Sequence, residues 1–196
     1  MQKILMFLSQ GFEDLEAITI MDVVGWTRVR EHLIPLNLCT CAFHDEVLGK
    51  FGTRIKVDWN LQRQTVPVQE FAAFVLPGGF HSAGFDEAYS QDIHEIAAKI
   101  YTQNGVIATM CVGSLPIADA GLLENKRATT YPLSRFHDNV ARLKTGKAIY
   151  TGGRIEVDSN IITCAGPASS LQVAYQLVEA LTGSANVEEV KRLMCY

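Results

Sequence analysis

Apolar runs that alternate with helix-spaced segments constrain this chain more than any other feature. Ile4 to Leu8 is a short apolar run, and after Gly11 a helix is expected over roughly 14 to 30. LNLCTCAF, beginning at Leu36, reads as a second strand, and GTRIKVDW reads as part of a short hairpin. FAAFVLPGGF gives a buried strand that ends at Pro77-Gly78-Gly79, with a helix following over about 89 to 103. VIATM is the next strand. It runs into a corner at Cys111 and then into VGSLPIADAGLL, which is spaced as a helix. RATTY is a short strand, NIITCAGP a late one, and SSLQVAYQLVEALTG an amphipathic helix closed by Gly183. This order predicts an α/β fold with a mostly parallel sheet and helices on both faces. In such sheets ligands sit beyond the carboxyl ends of the strands. Three segments fall there: the Ser9-to-Glu16 turn, Gly78-Gly79 and Cys111.

Composition narrows the class. With 196 residues, 48% of them hydrophobic and 19% charged, the chain reads as one globular domain over residues 1–196 with a substantial core. A net charge of −4 argues against nucleic acid or an anionic membrane as partner. The apolar stretch in MQKILMFLSQ is too short for a signal peptide or a membrane span, so a cytoplasmic location is expected. There the five cysteines, an odd number without framework spacing, should be free thiols.

The Cys111 corner has a chemical consequence. A residue at a strand-to-helix elbow projects above the sheet from a tight turn, where backbone N–H groups and the helix dipole favour an anion. A thiol there is expected to have a lowered pKa. Gly113 permits close backbone approach, and Gly78-Gly79 on the neighbouring strand can aim another N–H at the same point. The plain alternative is an ordinary buried cysteine.

GFEDLEA, FVLPGGF, ATMCVGS, TTYPL and ITCAGPASS with VEALTG occur in the order found in the ThiJ/PfpI superfamily. The chain resembles that superfamily over nearly its whole length, most of all its Parkinson-disease-protein branch. The resemblance implies a flavodoxin-like three-layer sandwich, a homodimer, and a nucleophilic, oxidation-prone cysteine at the elbow, here Cys111. It also implies that Glu16 hydrogen-bonds the sulfur. The residues alone do not choose among Glu13, Asp14 and Glu16, all at the start of the first helix, where acids are normally solvated dipole partners. Glu13 and Asp14 are read as solvated.

One departure from the family matters. Catalytic relatives carry a histidine after the cysteine or at the start of the TT-x-P segment, and here those positions hold Val112 and Tyr131. Tyrosine, with a pKa of about 10, is a poor general base at neutral pH. His137 and His81 are the candidate substitutes, although histidines in loops are normally at the surface. A glutamine amidotransferase would need a late His-x-Glu pair, and the nearest pattern, His44-Asp45-Glu46, precedes the nucleophile.

Two functions follow. In the first, Cys111 attacks an electrophilic carbon, the Gly79 and Val112 N–H groups hold the oxyanion, and Glu16 moves the proton. The resemblance implies small carbonyl, amide or peptide substrates, as in glyoxalase- or deglycase-like enzymes and intracellular protease/amidase relatives. In the second, Cys111 is a redox-sensing or protective thiol whose sulfinate is held by Glu16. Cys39, Cys41 and His44 suggest a metal site, but a fourth ligand is not evident and a strand interior is simpler. Cys164 is either a resolving thiol or core, and Cys195 lies in the tail. Neither a phosphate loop nor a dinucleotide fingerprint is present, so neither a metal nor an organic cofactor is expected.

Overall fold

In the computed structural model, which describes residues 1–196, the chain runs β1 (Gln2–Phe7), α1 (Asp14–Trp26), β2 (Leu36–Ala42), β3 (Glu46–Leu48), β4 (Arg54–Lys56), β5 (Trp59–Asn60) and β6 (Phe71–Leu76). It continues through α2 (Gln91–Thr102), β7 (Val106–Met110), α3 (Ser114–Asp119), β8 (Arg127–Ala128), α4 (Asn139–Thr145) and β9 (Ile149–Tyr150). The last elements are β10 (Ile155–Asp158), β11 (Ile161–Cys164), α5 (Ser170–Thr182) and α6 (Ser184–Leu193).

Seven strands form one sheet in the order β10-β11-β7-β6-β1-β2-β5, and every pairing in it is parallel except β10 with β11. Both faces are covered, which is why the central strands are continuous apolar runs instead of alternating ones. On one side Ile4, Met6, Val75 and Ala108 pack with Ala17 and Ile20 of α1, Val173 and Leu177 of α5, and Val187 of α6. On the other, Leu5, Phe7, Phe74 and Ile107 pack with Ile93 and Ile100 of α2, Leu115 of α3 and Leu143 of α4. This is the flavodoxin-like three-layer sandwich. No helix is long and apolar enough to cross a membrane.

The chain leaves β1 for β2 on one side and β6 joins β1 on the other, so the direction of winding reverses between β1 and β6. A crevice is expected above that switch point, at the carboxyl ends of the strands. The segments after β1, β6 and β7 meet there.

Several expected boundaries shift. The first helix ends at Trp26 and not near 30, because Thr27 turns the chain: its hydroxyl donates to the Val24 carbonyl at 2.6 Å and accepts the Leu36 N–H at 3.0 Å. The helix after the elbow spans only Ser114–Asp119, and Gly121, at φ 77°, ends its continuation. RATTY contributes only Arg127–Ala128 as strand, paired with β9 outside the main sheet. The hairpin at GTRIKVDW forms as β3 with β4. The short edge strand β10 and the seven-residue helix α4 carry too little apolar periodicity to have been anticipated, and α6, with Val187 and Val190 buried, was not anticipated either.

Candidate functional site

Cys111 closes β7 with φ at 55°, a left-handed conformation that costs a residue with a Cβ about 1–3 kcal/mol. Its surroundings hold it there. The Cys111 carbonyl accepts from the Thr130 hydroxyl at 3.0 Å and the Ser114 hydroxyl at 3.2 Å. Thr130 belongs to the TTY segment, so that segment does pass beside the elbow. Two glycines are required by close approach. A Cβ on Gly113 would lie 2.4 Å from the Leu76 carbonyl oxygen, and one on Gly78 would lie 2.7 Å from the Cys111 Cβ. The Cys111 residue is left 9% exposed.

Glu16 stands behind the thiol. It is fully buried in the first turn of α1 and its Oε2 accepts the Gly78 N–H at 2.6 Å. Its Oε1 is buried with no partner. Burial pushes the carboxyl up to about 8, against the Gly78 N–H and the thiol, with the Glu13 charge adding to the rise. At neutral pH Glu16 therefore carries its proton and can act as a donor.

The thiol is raised as well, by burial first and by the Glu16 carboxylate second, while the Val112 N–H pulls the other way. The lowered pKa expected from an elbow is thus corrected. One amide donor and a six-residue helix do not offset removal of the thiolate from water. Protonation of Glu16 removes the second of those causes, so the pair is least opposed to a thiolate when the carboxyl is neutral.

Glu13 and Asp14 are also corrected, since neither is merely solvated. Glu13 is 7% exposed, faces the crevice and caps α1 by accepting the Glu16 N–H at 2.8 Å. Asp14 accepts the N–H groups of Phe51 and Thr53 at 2.8 and 2.9 Å, tying the β3–β4 turn to α1.

A cavity of about 750 Å³ opens above the elbow. Cys111, Val112, Gly79, Tyr131, His81 and His137 all line it, and Glu16 lies behind the cysteine outside the wall. The Val112 N–H is directed at the sulfur, and the Gly79 N–H makes no hydrogen bond within the protein. Of the two histidines, His81 is half-buried and His137 is exposed. The His81 side chain is 24% exposed, its Nδ1 is 2.6 Å from Asp86 Oδ1, and its ring stacks on Tyr89. The His137 ring lies against that of His81, with centroids 4.9 Å apart. His137 stands just before α4 with its N–H held by Ser134 and is exposed, as expected of a segment that turns helical and outward, although its ring still reaches the cavity.

The remaining wall is mixed: Phe51, Phe80, Leu133, Phe136 and Pro167 supply apolar surface, and Ser82, Ser134, Arg135 and Asn139 stand among them. Sequence reasoning did not reach these residues or Asp86. They lie on irregular loops, where periodicity says nothing about which side chains meet. Elsewhere, His44 pairs with Glu87 at 2.6 Å, away from the Cys41 core. Cys164 is buried beside Met110 in the sheet register, near Glu16, and its thiol is pushed up to about 12, chiefly by burial.

This arrangement can be set beside known proteins. Residues 2–180 match the model of the DJ-1/PfpI family. The deglycase PfpI of Pyrococcus furiosus is 33% identical over 66% of this chain and 72% of its own length. The DJ-1 homolog B of Arabidopsis thaliana is 28% identical over 96% of this chain, which spans only 40% of that protein. Among solved structures, Drosophila melanogaster DJ-1beta superposes with a TM-score of 0.82 at 23% identity, covering 99% of this chain and 97% of its own.

Proposed function

The chain belongs to the DJ-1/PfpI family, and from that premise we propose that it is a cysteine-dependent enzyme acting on carbonyl or amide carbon, in the manner of its deglycase-named relatives. The observation that carries this reading is the convergence of a strained elbow cysteine, two available N–H groups and a histidine–aspartate pair on one cavity. Cys111 gives its proton to His81 Nε2 and its sulfur attacks the carbonyl carbon. The Gly79 and Val112 N–H groups receive the resulting oxyanion. Asp86 holds the His81 Nδ1–H, which leaves Nε2 free to accept the proton. Glu16, neutral below about 8, donates toward the sulfur without repelling the thiolate. Tyr131 takes the family's histidine position as a hydrogen-bond donor and not as the base. Turnover of methylglyoxal and a simple amide by wild type and Cys111→Ser tests the reading; equal rates in the two proteins would end it.

A second reading rests on Glu16. A neutral buried carboxyl beside a thiol suits a redox site in which two equivalents of peroxide each deliver one oxygen to Cys111, leave as water, and give a sulfinate held by Glu16 and Val112. Intact-mass measurement after titrated peroxide tests it: Glu16→Gln should change the sulfinate yield, and an unchanged yield removes Glu16 from that role.

The homodimer is proposed from α1, which buries Ile20 and Val24 yet turns Leu15 and Ile18 outward at 55% and 40% exposure. A helix apolar on both sides calls for a second covered face. Sedimentation should give twice the chain mass, and Ile18→Glu should reduce it to one.

A further inference from the structure

Three large apolar side chains at the cavity mouth bury little of themselves within the protein: Phe136 is 88% exposed, Leu133 73% and Phe51 71%. Exposed apolar residues scattered singly need no explanation, but these three share one concave surface with Phe80 and Tyr131. The Phe51 ring meets the Phe80 ring edge-to-face at 5.7 Å, so one side of the mouth is aromatic, with Arg135 and Ser134 the polar groups beside it. At about 750 Å³ the cavity lies within the range of roughly 300–1,000 Å³ that encloses ligands of many heavy atoms. A three-carbon carbonyl compound would touch Cys111 and leave the outer wall in water.

Resting on the proposed Cys111 reading, we infer that the substrate carries its reactive carbonyl on a bulky aromatic body, which lies between Phe80 and the Leu133–Phe136 segment while the carbonyl reaches Cys111. Selectivity then resides in the β3–β4 turn and in the loop after β8, which do not belong to the elbow. Apolar pockets discriminate by about tenfold or more for each small apolar group they bury, and a phenyl group is several such increments.

The experiment has two arms. In the first, unreactive phenylacetamide and acetamide are titrated into the full-length Cys111→Ser protein and followed by NMR shifts. The inference expects phenylacetamide to bind at least about tenfold tighter, with the preference reduced several-fold in a Cys111→Ser, Phe136→Ala double variant. Equal binding of the two amides, or a preference that survives Phe136→Ala and Leu133→Ala together, overturns it. In the second arm, wild type is assayed on phenylglyoxal and methylglyoxal. A kcat/KM ratio of about 10 or more for the aryl compound, expressed mainly in KM, supports the inference, and a ratio of one or less overturns it. Aryl binding in the first arm with no turnover of either aldehyde would keep the aromatic site and discard the enzyme. Turnover of methylglyoxal without aryl preference would keep the enzyme and discard the aromatic site.

Discussion

The floor and the rim of the cavity are built on opposite terms. At the floor, Glu16 lies in the first turn of α1 and Cys111, Gly78 and Gly113 lie just past the strand ends, packed so closely that two positions admit no Cβ. Glu16 is wholly buried, and its charge state is set by the fold more than by water. At the rim, His81, His137, Leu133 and Phe136 sit on irregular loops, partly or largely in solvent. Burial gives the floor a fixed geometry at a cost in desolvation. Exposure gives the rim freedom to choose a ligand but makes its electrostatics weak: the His81–Asp86 pair has an aspartate that is 75% exposed. The cysteine is thus placed where packing is dense, and the proposed base and the selective wall where the surface is open.

The comparison can be broken at its strongest joint first. If His81 supplies the base, His81→Gln should lower kcat by about 10²- to 10⁴-fold, while His137→Gln has a lesser effect. A full loss in His137→Gln with His81→Gln silent would exchange their roles.

Next come the floor's packing and charge. Gly113→Ala puts a methyl group against the Leu76 carbonyl and should cost about 1–3 kcal/mol or more, read as a lowered urea midpoint. Glu16→Gln should change how stability depends on pH. The folded-state pKa lies above the ordinary carboxyl value, so the fold prefers the protonated form. Stability contributed by Glu16 is present below about 4.5 and lost as pH rises through about 8. The glutamine variant lacks this loss and should gain on wild type by about 4 kcal/mol between pH 5 and pH 9, as followed by denaturant unfolding. The same variant should show faster iodoacetamide labelling of Cys111 above pH 8, because the repelling carboxylate is gone. Equal pH profiles would mean that Glu16 is charged in the native protein.

The smallest effect belongs to the rim. Asp86→Asn should reduce turnover by no more than about fivefold, the measure of an exposed ion pair. A loss as large as that of His81→Gln would show that the rim is as tightly organised as the floor.

Much of the floor was legible in the residues. The apolar runs at Ile4, Phe74 and Val106 specify strands buried on both faces, and the Gly78-Gly79 and Cys111–Gly113 segments mark close approach at strand ends. The resemblance, carried by the same segments, selected Glu16 over its acidic neighbours, and the carboxyl stands behind Cys111. The thiol pKa was read in the wrong direction. An elbow in a sequence announces its N–H donors but not how much water the fold removes from them, and burial proved the larger effect. The rim was nearly silent. His81 and His137 are 56 residues apart on loops without periodicity, and nothing local says that their rings lie 4.9 Å from each other.

By itself the sequence determined the layered parallel architecture and the position of the elbow cysteine, because hydrophobic period and glycine placement are local properties that each strand and turn carries within a few residues. Only the tertiary structure decided the protonation of Glu16, the pairing of His81 with Asp86 and His137, and the aromatic lining above Cys111. Those depend on desolvation and on contacts between segments far apart in the chain, which exist only once the sheet has brought its carboxyl ends together.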